Sequence, residues 1–312
     1  MAFDIAAIQF LYGARAANTD DTTYTLVTAN ATGTGWKAIW DTAGTDTISA
    51  AASTSTVTIN LNDAPLDGSV NAGGFVSWQS DIQGGYTIAN GVSIENAIGG
   101  SGNDILIGNE SDNSLTGSAG NDTLTGNAGA DTIDGGAGLD ISAYSIASSS
   151  ATTTVSDGVI TTNDGSGADI LTNVERLSYS DGSLAFDTTG AAGQTYRLYQ
   201  AAFDRTPDPP GLSHNVNLFD NGLTLKQLSD AFLASAEFIA LYGADSSNTV
   251  LLTAFYANVL NRAPDTAGFN GWNDLLTSGT LDRADVLIGF SESLENIALV
   301  GSAIENGIWL GA

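Results

Sequence analysis

Residues 99–143 read GGSGNDILI, GNESDNSLT, GSAGNDTLT, GNAGADTID and GGAGLDISA, an uninterrupted period of nine residues. Each unit begins with a glycine-containing half, which can bend tightly, and the first four units carry an apolar residue at the eighth place. One unit cannot bury its own apolar residue, so successive units must stack as a coil with alternate turns on opposite edges. A flexible linker of similar composition would not keep this spacing. We therefore expect a stack of short parallel strands here.

The sixth place of each unit carries a carboxylate or an amide. In such a coil every second unit lies on the same edge, so Asp104, Asp122 and Asp140 share one edge. Asn113 and Asp131 share the other. Carboxylates and backbone carbonyls offer only oxygen, and Ca²⁺ prefers about six to eight oxygen ligands. The sequence therefore predicts several calcium ions between the layers.

The second unit departs from the pattern. It has Glu110 and Ser111 where glycine or a small residue is expected, and its acid, Asp112, stands at the fifth place. We expect a weaker or altered half-site there. Side chains and backbone carbonyls together, the predicted ligands of this segment are Gly99, Gly100, Gly102, Asp104, Asp112, Asn113, Gly117, Ala119, Gly120, Asp122, Gly126, Ala128, Gly129, Asp131, Gly135, Gly136, Ala137, Gly138 and Asp140.

The repeat resembles the calcium-binding RTX nonapeptide. That resemblance implies a parallel β-roll that stays extended where calcium is scarce and folds on binding it outside the cell. It also implies export of an unfolded chain by type I secretion machinery.

Composition favours metal ions as partners. The formal net charge of the 312 residues is −27, which argues against nucleic acid or an anionic membrane surface as a partner. Cysteine is absent, which suits an extracellular protein whose cross-links are ions. No apolar run is long enough to predict a transmembrane segment.

Residues 1–98 begin with an apolar stripe at helical spacing, which we expect to pack on a following sheet, and continue as β-like sequence. The stretches FDIAAIQFLYGA, WDTAGTDTI, TINLND and GVSIENAIGGSGNDILIGN resemble the segment that follows the catalytic domain in serralysin-type metalloproteases. The resemblance covers about residues 3 to 145. It implies that the first helix is the last helix of a protease half whose zinc-binding region lies upstream.

The serralysin resemblance further implies calcium ions at the entrance to the roll. Acids in turns can equally be solvated, and Asn18 and Asp20 stand where the family pattern has arginine and glycine. One ion would be held by Asn18, Asp20, Thr22, Asp41, Ala43, Gly44 and Asp46, and another by Ser93 and Glu95 with the first glycines of the roll.

After the repeats, residues 146–190 return to alternating β-like sequence, which we expect to cap the open end of the coil. Asp164, Asp169 and Asp181 could bind another ion or cap turns, and we favour turns. From residue 191 the apolar period is near 3.6, which predicts helices.

The helical part contains an internal repeat, in which LYQAAFDRTPDPPGL (198–212) matches FYANVLNRAPDTAGF (255–269). Each R-x-P-D is read as a helix–turn–helix corner, with the arginine holding carbonyls or an acid. A single apolar stripe is predicted from Leu225 to Tyr242. The repeat resembles an uncharacterised helical module at the C-terminal end of RTX and surface-layer proteins.

An enzyme of the serralysin type needs an HExxH helix and a third zinc ligand. This chain has one histidine, His214, and no cysteine, so we expect no catalytic residue and read His214 as a surface-loop histidine.

The predicted fold is mainly β with an α-helical C-terminal domain, in which a parallel β-roll is flanked by β-rich segments. The predicted domains are a serralysin-like helix and β-rich lead-in (1–98), the calcium-binding roll with its capping strands (99–190) and the helical domain (191–312). We expect a secreted, extracellular or cell-surface module that supports folding, stability and type I secretion of a larger protein, with a serralysin-like metalloprotease as the main candidate. The alternative is a surface-layer or adhesin subunit that assembles through calcium and the helical domain, or binds a cell-surface glycan.

Overall fold

The computed structural model describes residues 2–311 and divides into two compact units, residues 1–181 and 182–312. The first unit is built from short strands after one helix, and the second from helices. A β-rich N-terminal region with parallel sheets and a helical C-terminal region are thus both present.

The first unit contains helix α1 (Ala2–Tyr12), a 3-10 turn (Ser148–Ser150) and the strands β1 (Thr23–Thr25), β2 (Trp36–Ile39), β3 (Thr47–Ser49), β4 (Val57–Asn60), β5 (Ser77–Gln79), β6 (Gly85–Ile88), β7 (Asn96–Ile98), β8 (Ile105–Ile107), β9 (Ser114–Ala119), β10 (Thr123–Thr125), β11 (Thr132–Ala137), β12 (Ile141–Ala143), β13 (Thr152–Ser156), β14 (Val159–Asn163), β15 (Ala168–Thr172) and β16 (Arg176–Tyr179).

Successive strands of the repeat segment alternate between two sheets. The first sheet has the order β1-β3-β7-β9-β11-β15-β14-β13, and the second runs β16-β12-β10-β8-β4-β5-β6-β2 within this unit. β7, β9 and β11 pair in parallel in the first sheet, and β8, β10 and β12 pair in parallel in the second. The apolar eighth-place residues are fully buried: Leu106, Leu115, Leu124 and Ile133. Every second unit therefore stacks on the same edge, as the period of nine predicts.

An antiparallel hairpin, β13–β14, interrupts the stack after β12. The chain then resumes the parallel order, because β15 pairs with β11 and β16 pairs with β12. Residues 146–181 therefore extend both sheets by one further parallel strand each.

Helix α1 does not pack as predicted. Phe3, Ile8, Leu11 and Tyr12 of the apolar stripe are exposed, with Tyr12 83% accessible, and Ala2 is the one residue of the helix that is buried. The expectation that this stripe packs on a following sheet of this chain was wrong.

The second unit contains β17 (Gly182–Ala185), α2 (Ala191–Phe203), α3 (Pro209–Asp220), α4 (Leu225–Leu233), α5 (Ala236–Tyr242), α6 (Asn248–Asn258), α7 (Thr266–Thr277), α8 (Arg283–Ser291), α9 (Leu294–Ile304) and β18 (Ile308–Gly311), with β17 and β18 antiparallel. Among residues 2–311 no single helix is long and apolar enough to cross a membrane, although the bent pair α8 and α9 together meets that length and composition.

The two R-x-P-D motifs form equivalent corners, as predicted. Asp208 caps α3 and Asp265 caps α7, each accepting a hydrogen bond from a backbone N–H three residues on. The arginine of each corner pairs with a glutamate, Arg205 with Glu237 at 2.6 Å and Arg262 with Glu295 at 2.7 Å.

Two local expectations for the helical part were wrong. The apolar stripe from Leu225 to Tyr242 is divided into α4 and α5, because Ser235 caps a new helix. His214 lies on an exposed face of α3 and not in a loop, since Pro209 and Pro210 occupy the first turn of a helix, where proline is tolerated.

Candidate metal site

A row of carboxylates runs along one edge of the first unit, at the residues just before the strands of the second sheet. Asp122 Oδ1 accepts a hydrogen bond from the backbone N–H of Asp104 at 2.7 Å. Asp140 Oδ1 accepts in the same way from Asp122 at 2.8 Å. Asp104 Oδ1 accepts from Val57, the equivalent residue of the preceding layer, at 2.8 Å. We call Asp104, Asp122, Asp140 and the terminal Glu175 the first row.

A second row runs along the opposite edge, at the residues just before the strands of the first sheet. Asp131 Oδ1 accepts a hydrogen bond from the backbone N–H of Asn113 at 2.8 Å. The stack therefore uses one rule on both edges: each carboxylate holds the main chain of the layer before it. We call Asp46, Glu95, Asn113, Asp131 and Asp169 the second row.

Three carboxylates of the repeat have an oxygen without a partner. Oδ2 of Asp122, of Asp131 and of Asp140 is buried and accepts no hydrogen bond. A buried carboxylate oxygen left unpaired is costly, so each of these positions calls for a cation or a proton.

Burial changes the acidity of these groups. Desolvation raises the pKa of Asp122 and of Asp140 to about 6, against the hydrogen bond that each accepts from a backbone N–H. It raises the pKa of Asp131 to about 7. Neighbouring carboxylates add to each rise, and the pKa of Asp104 is also raised by burial. When these carboxylates are ionised, the surrounding protein therefore compensates their negative charge poorly.

Glycine at the first place of a unit makes room for the carboxylate. A Cβ added to Gly117 would overlap Asp122 Oδ2, and one added to Gly126 would overlap Asp131 Oδ2. At the fourth place, Gly120 and Gly129 have a positive φ of 116° and pack against carbonyls of the neighbouring layer. Backbone oxygens and carboxylate oxygens are thus brought to the same edges.

The other predicted carbonyl ligands lie along the same edges of the stack. Gly117 and Ala119 belong to β9, and Gly135, Gly136 and Ala137 belong to β11. The turns between strands hold Gly99, Gly100, Gly102, Gly120, Gly126, Ala128, Gly129 and Gly138.

Two acidic residues outside the predicted ligand set end the rows. Glu175 Oε2 accepts from the backbone N–H of Asp140 at 2.8 Å, and Asp169 Oδ1 accepts from Asp131 at 3.0 Å. The second oxygen of Asp169 accepts from the hydroxyl of Tyr144 at 3.0 Å. Asp169, for which the sequence favours a turn cap, is therefore a member of the second row.

The second nine-residue repeat, residues 108–116, differs from the other repeats, as its sequence suggested. Asn113 donates through Nδ2 to the carbonyl of Glu95 at 3.1 Å. It therefore presents an N–H donor where the aspartates at the sixth place of the later repeats have an unpaired oxygen. Asp112 is exposed and accepts from the backbone N–H of Ala130 at 2.8 Å, a place outside both rows. Its role as a ligand stays a prediction.

The two loops predicted to hold the entrance ion, residues 18–22 and 41–46, contact each other. Asp46 Oδ1 accepts from the backbone N–H of Thr22 at 2.8 Å, and the carbonyl of Asp20 lies where a Cβ on Gly44 would collide with it. Asp41 Oδ2 accepts from the hydroxyl of Tyr24 at 2.6 Å.

The same loops hold the remaining entrance residues. The hydroxyl of Tyr24 accepts from Asn18, and the carbonyl of Asn18 accepts from Thr42, next to Ala43. The first loop thus reaches its partner loop although Asn18 and Asp20 depart from the family pattern.

Glu95 joins the entrance to the stack. Its Oε2 accepts from the backbone N–H of Asp46 at 2.8 Å, which places Asp46 and Glu95 in the second row. Ser93, predicted to act with Glu95, is exposed, and its hydroxyl lies 3.5 Å from that of Ser111 in a polar cleft.

The donor chemistry fits a hard cation. Within residues 2–311 no three histidine, cysteine or acidic side chains converge as a metal cluster, so an ion here would need backbone carbonyls to complete its shell. The rows provide such carbonyls and unpartnered carboxylate oxygens, and Ca²⁺ accepts irregular all-oxygen shells of this kind.

Two family models match this chain. The family described as "Peptidase M10 serralysin C terminal" matches residues 3–206, and the "Domain of unknown function (DUF4214)" matches residues 192–241 and 229–300. A solved structure of the extracellular lipase LipA from Serratia marcescens matches with a TM-score of 0.30 and 20% identity, over 31% of this chain and 18% of that one.

Similar curated proteins are serralysins and related metalloproteases. Serralysin C of Dickeya chrysanthemi is 44% identical over 120 residues, which cover 33% of this chain and 22% of the relative. Metalloprotease AprA of Pseudomonas entomophila is 40% identical over 114 residues, 33% of this chain and 21% of the relative. The chain thus spans about a fifth of the length of these relatives. With the family model matching residues 3–206, this chain belongs to the serralysin C-terminal family of the M10 peptidases.

Proposed function

We propose that residues 99–143 form an RTX β-roll that binds several calcium ions between its layers and folds when it binds them. The observation that carries the proposal is the set of three buried, unpartnered carboxylate oxygens, of Asp122, Asp131 and Asp140, at equivalent places of the repeat. A bound cation would supply the positive charge that these positions lack.

The chain's own residues would contribute in two ways. Oδ1 of each carboxylate fixes the preceding layer through a backbone N–H, and Oδ2 is left to face an ion. Without a cation, neighbouring carboxylates repel and glycine favours disorder, so the unfolded chain gains stability relative to the stack.

The module would act outside the cell. The curated relatives are named serralysins and metalloproteases, and we infer that this chain is the non-catalytic part of a secreted protein of that kind. Free calcium outside the cell would then fold a chain that the type I secretion machinery exports unfolded. Its own residues offer one histidine and no cysteine for catalysis.

The proposal is tested by isothermal titration of the chelator-treated protein with CaCl₂. We expect saturable binding of more than one ion with an accompanying gain of β signal in circular dichroism. Titration with MgCl₂ is the control, since Mg²⁺ demands a stricter octahedral shell and dehydrates reluctantly. Absence of calcium binding would remove the basis of the proposal.

A further inference from the structure

The helical unit contains a polar cleft that neither the calcium rows nor the family match explains. Its volume is about 340 Å³, at the lower end of the range for ligand pockets, roughly 300–1,000 Å³. It lies where the C-terminal ends of α2 and α6 approach α9, so all of its walls belong to the second unit.

Side-chain amides dominate the polar wall. Gln200, Asn258, Asn261 and Asn296 all line the cleft. Asn296 is almost fully buried and its Nδ2 donates to the carbonyl of Ser291, and Nδ2 of Asn258 donates to the hydroxyl of Tyr242, so Gln200 and Asn261 are the amides left for a ligand. An amide both donates and accepts hydrogen bonds, and so does a hydroxyl group. The wall therefore suits a ligand with several hydroxyl groups better than one with a single charge.

One of these amides lacks a partner. Oε1 of Gln200 is buried and accepts no hydrogen bond. A buried acceptor without a donor is destabilising, because its desolvation is not offset. Rotation about the terminal torsion exchanges the oxygen and nitrogen of this amide. A hydroxyl group both donates and accepts, so it can pair with whichever of the two atoms faces the cleft.

The charges in the cleft argue against an anionic ligand. Arg205 also lines the cleft, but Nε and Nη2 of its guanidinium donate to the carboxylate of Glu237, at 2.6 and 3.1 Å. Its Nη1 donates to the carbonyl of Thr206 at 3.2 Å. Asp204, at the edge of the cleft, adds a negative charge that can accept hydrogen bonds from hydroxyl groups.

The apolar part of the wall and its backbone narrow the ligand class further. Val259 and Val300 line the cleft, and both are largely buried. They can contact the CH groups of a sugar ring. The walls are formed by α2, α6, α9 and the turns that follow α2 and α6, and none of these offers a strand edge for the main chain of a peptide.

The second repeat lacks this arrangement. Ala257 stands at the place of Gln200, and Asn261 and Arg262 stand at the places of Asp204 and Arg205. The corresponding groove is more open and is lined by Ala257 and Arg262. The chain therefore contains a matched corner without the unpartnered amide.

We propose that the cleft around Gln200 binds one neutral sugar residue of a glycan. The proposal is independent of calcium binding, because no residue of the rows lies in this unit. It is tested with the full chain in calcium, by saturation-transfer NMR and titration with D-glucose, D-galactose, D-mannose and N-acetyl-D-glucosamine. D-glucuronate and inorganic phosphate serve as anionic comparators.

We expect at least one neutral sugar to bind, and Gln200→Leu to weaken it roughly tenfold. Ala257→Leu in the second repeat is the matched control and should leave affinity unchanged. Asp204→Asn keeps a residue that tolerates the left-handed backbone at this position and should weaken binding severalfold. Circular dichroism of the helical signal checks that each variant folds.

Three outcomes would overturn the proposal. The first is no binding of any of the four neutral sugars up to about 10 mM. The second is an equal loss of affinity in Gln200→Leu and Ala257→Leu, which would locate the sugar elsewhere. The third is tighter binding of glucuronate or phosphate than of every neutral sugar.

Discussion

The carboxylate of Asp122 bonds the backbone N–H of Asp104, a full coil turn away, at 2.7 Å through Oδ1, and its Oδ2 is buried without a partner. One oxygen thus holds the preceding layer while the other is left for a cation. The same division occurs at Asp140 and Asp131. Layer stacking and the proposed ion binding therefore depend on the same side chains.

Replacing Asp122 with alanine removes both roles at once. We expect Asp122→Ala to raise the calcium concentration at the folding midpoint roughly tenfold, because both the layer contact and the unpaired oxygen are lost. Asn113→Ala should shift it less, since the Asn113 amide already donates to a carbonyl. Circular dichroism during calcium titration measures both midpoints.

Asp122→Asn is the matched control for charge. It keeps an acceptor for the N–H of Asp104 but removes the negative charge, so calcium affinity should fall while the calcium-free stack gains stability, because a buried charge is gone. Equal midpoints for Asp122→Ala and Asn113→Ala would contradict the stacking account.

The raised pKa values of the carboxylates in the rows predict that, without calcium, the stability of the folded state falls as the pH rises. The folded pKa values, about 6 for Asp122 and Asp140 and about 7 for Asp131, lie above the ordinary value of 3.8. The folded state then holds more protons than the unfolded state, so the stabilisation is fully present below about pH 4 and is lost as pH rises through 6 to 7.

In protein freed of calcium on a chelating resin, circular dichroism should accordingly show more β signal at pH 5 than at pH 8. Calcium should reverse this order, because its ligands must be deprotonated. A β signal of the calcium-free protein that rises from pH 5 to pH 8 would contradict the raised pKa values of these carboxylates.

A methyl group at a first-place glycine should disrupt the stack. Gly126→Ala puts its Cβ on Asp131 Oδ2, and we expect a loss of about 1–3 kcal/mol in the free energy of unfolding. Gly35→Ala in the same unit is the control, because its Cβ would meet nothing within 4 Å. Denaturant unfolding in calcium compares the two, and equal losses would refute the close approach of Gly126 and Asp131.

The chain should have no hydrolytic activity of its own. Zinc-dependent and nucleophilic hydrolysis mostly use histidine or cysteine, and the chain has His214 alone. Calcium-loaded protein with added zinc should cleave casein only at background rate, and His214→Ala should change nothing. Turnover that copurifies with the chain and disappears in His214→Ala would overturn this expectation.

The sequence predicted those parts of the site that repeat. Asp122 and Asp131 could be placed on opposite edges because the period of nine is strict and the buried eighth-place residues fix the register. The entrance loops came from family resemblance, and the structure joins them to the second row through Asp46 and Glu95.

The sequence did not predict that Asp169 and Glu175 end the rows, because the hairpin β13–β14 breaks the period of nine. As a result, 38 residues separate Asp131 from Asp169. A local signal was present, since Gly-Ala-Asp at 129–131 recurs at 167–169. The contact between Tyr144 and Asp169 had no sequence signal, because it depends on how the chain folds back after the hairpin.

The central claim is that calcium holds the stack together, and segment-resolved hydrogen exchange tests it most directly. We expect the amides of residues 99–143 to be protected in calcium and to exchange rapidly after EGTA treatment, while helices α2 to α9 keep their protection in both conditions. In the proposed account the carboxylate rows need a cation at neutral pH, whereas the helical core contains no member of the rows. Equal protection of residues 99–143 with and without verified calcium removal would contradict the account.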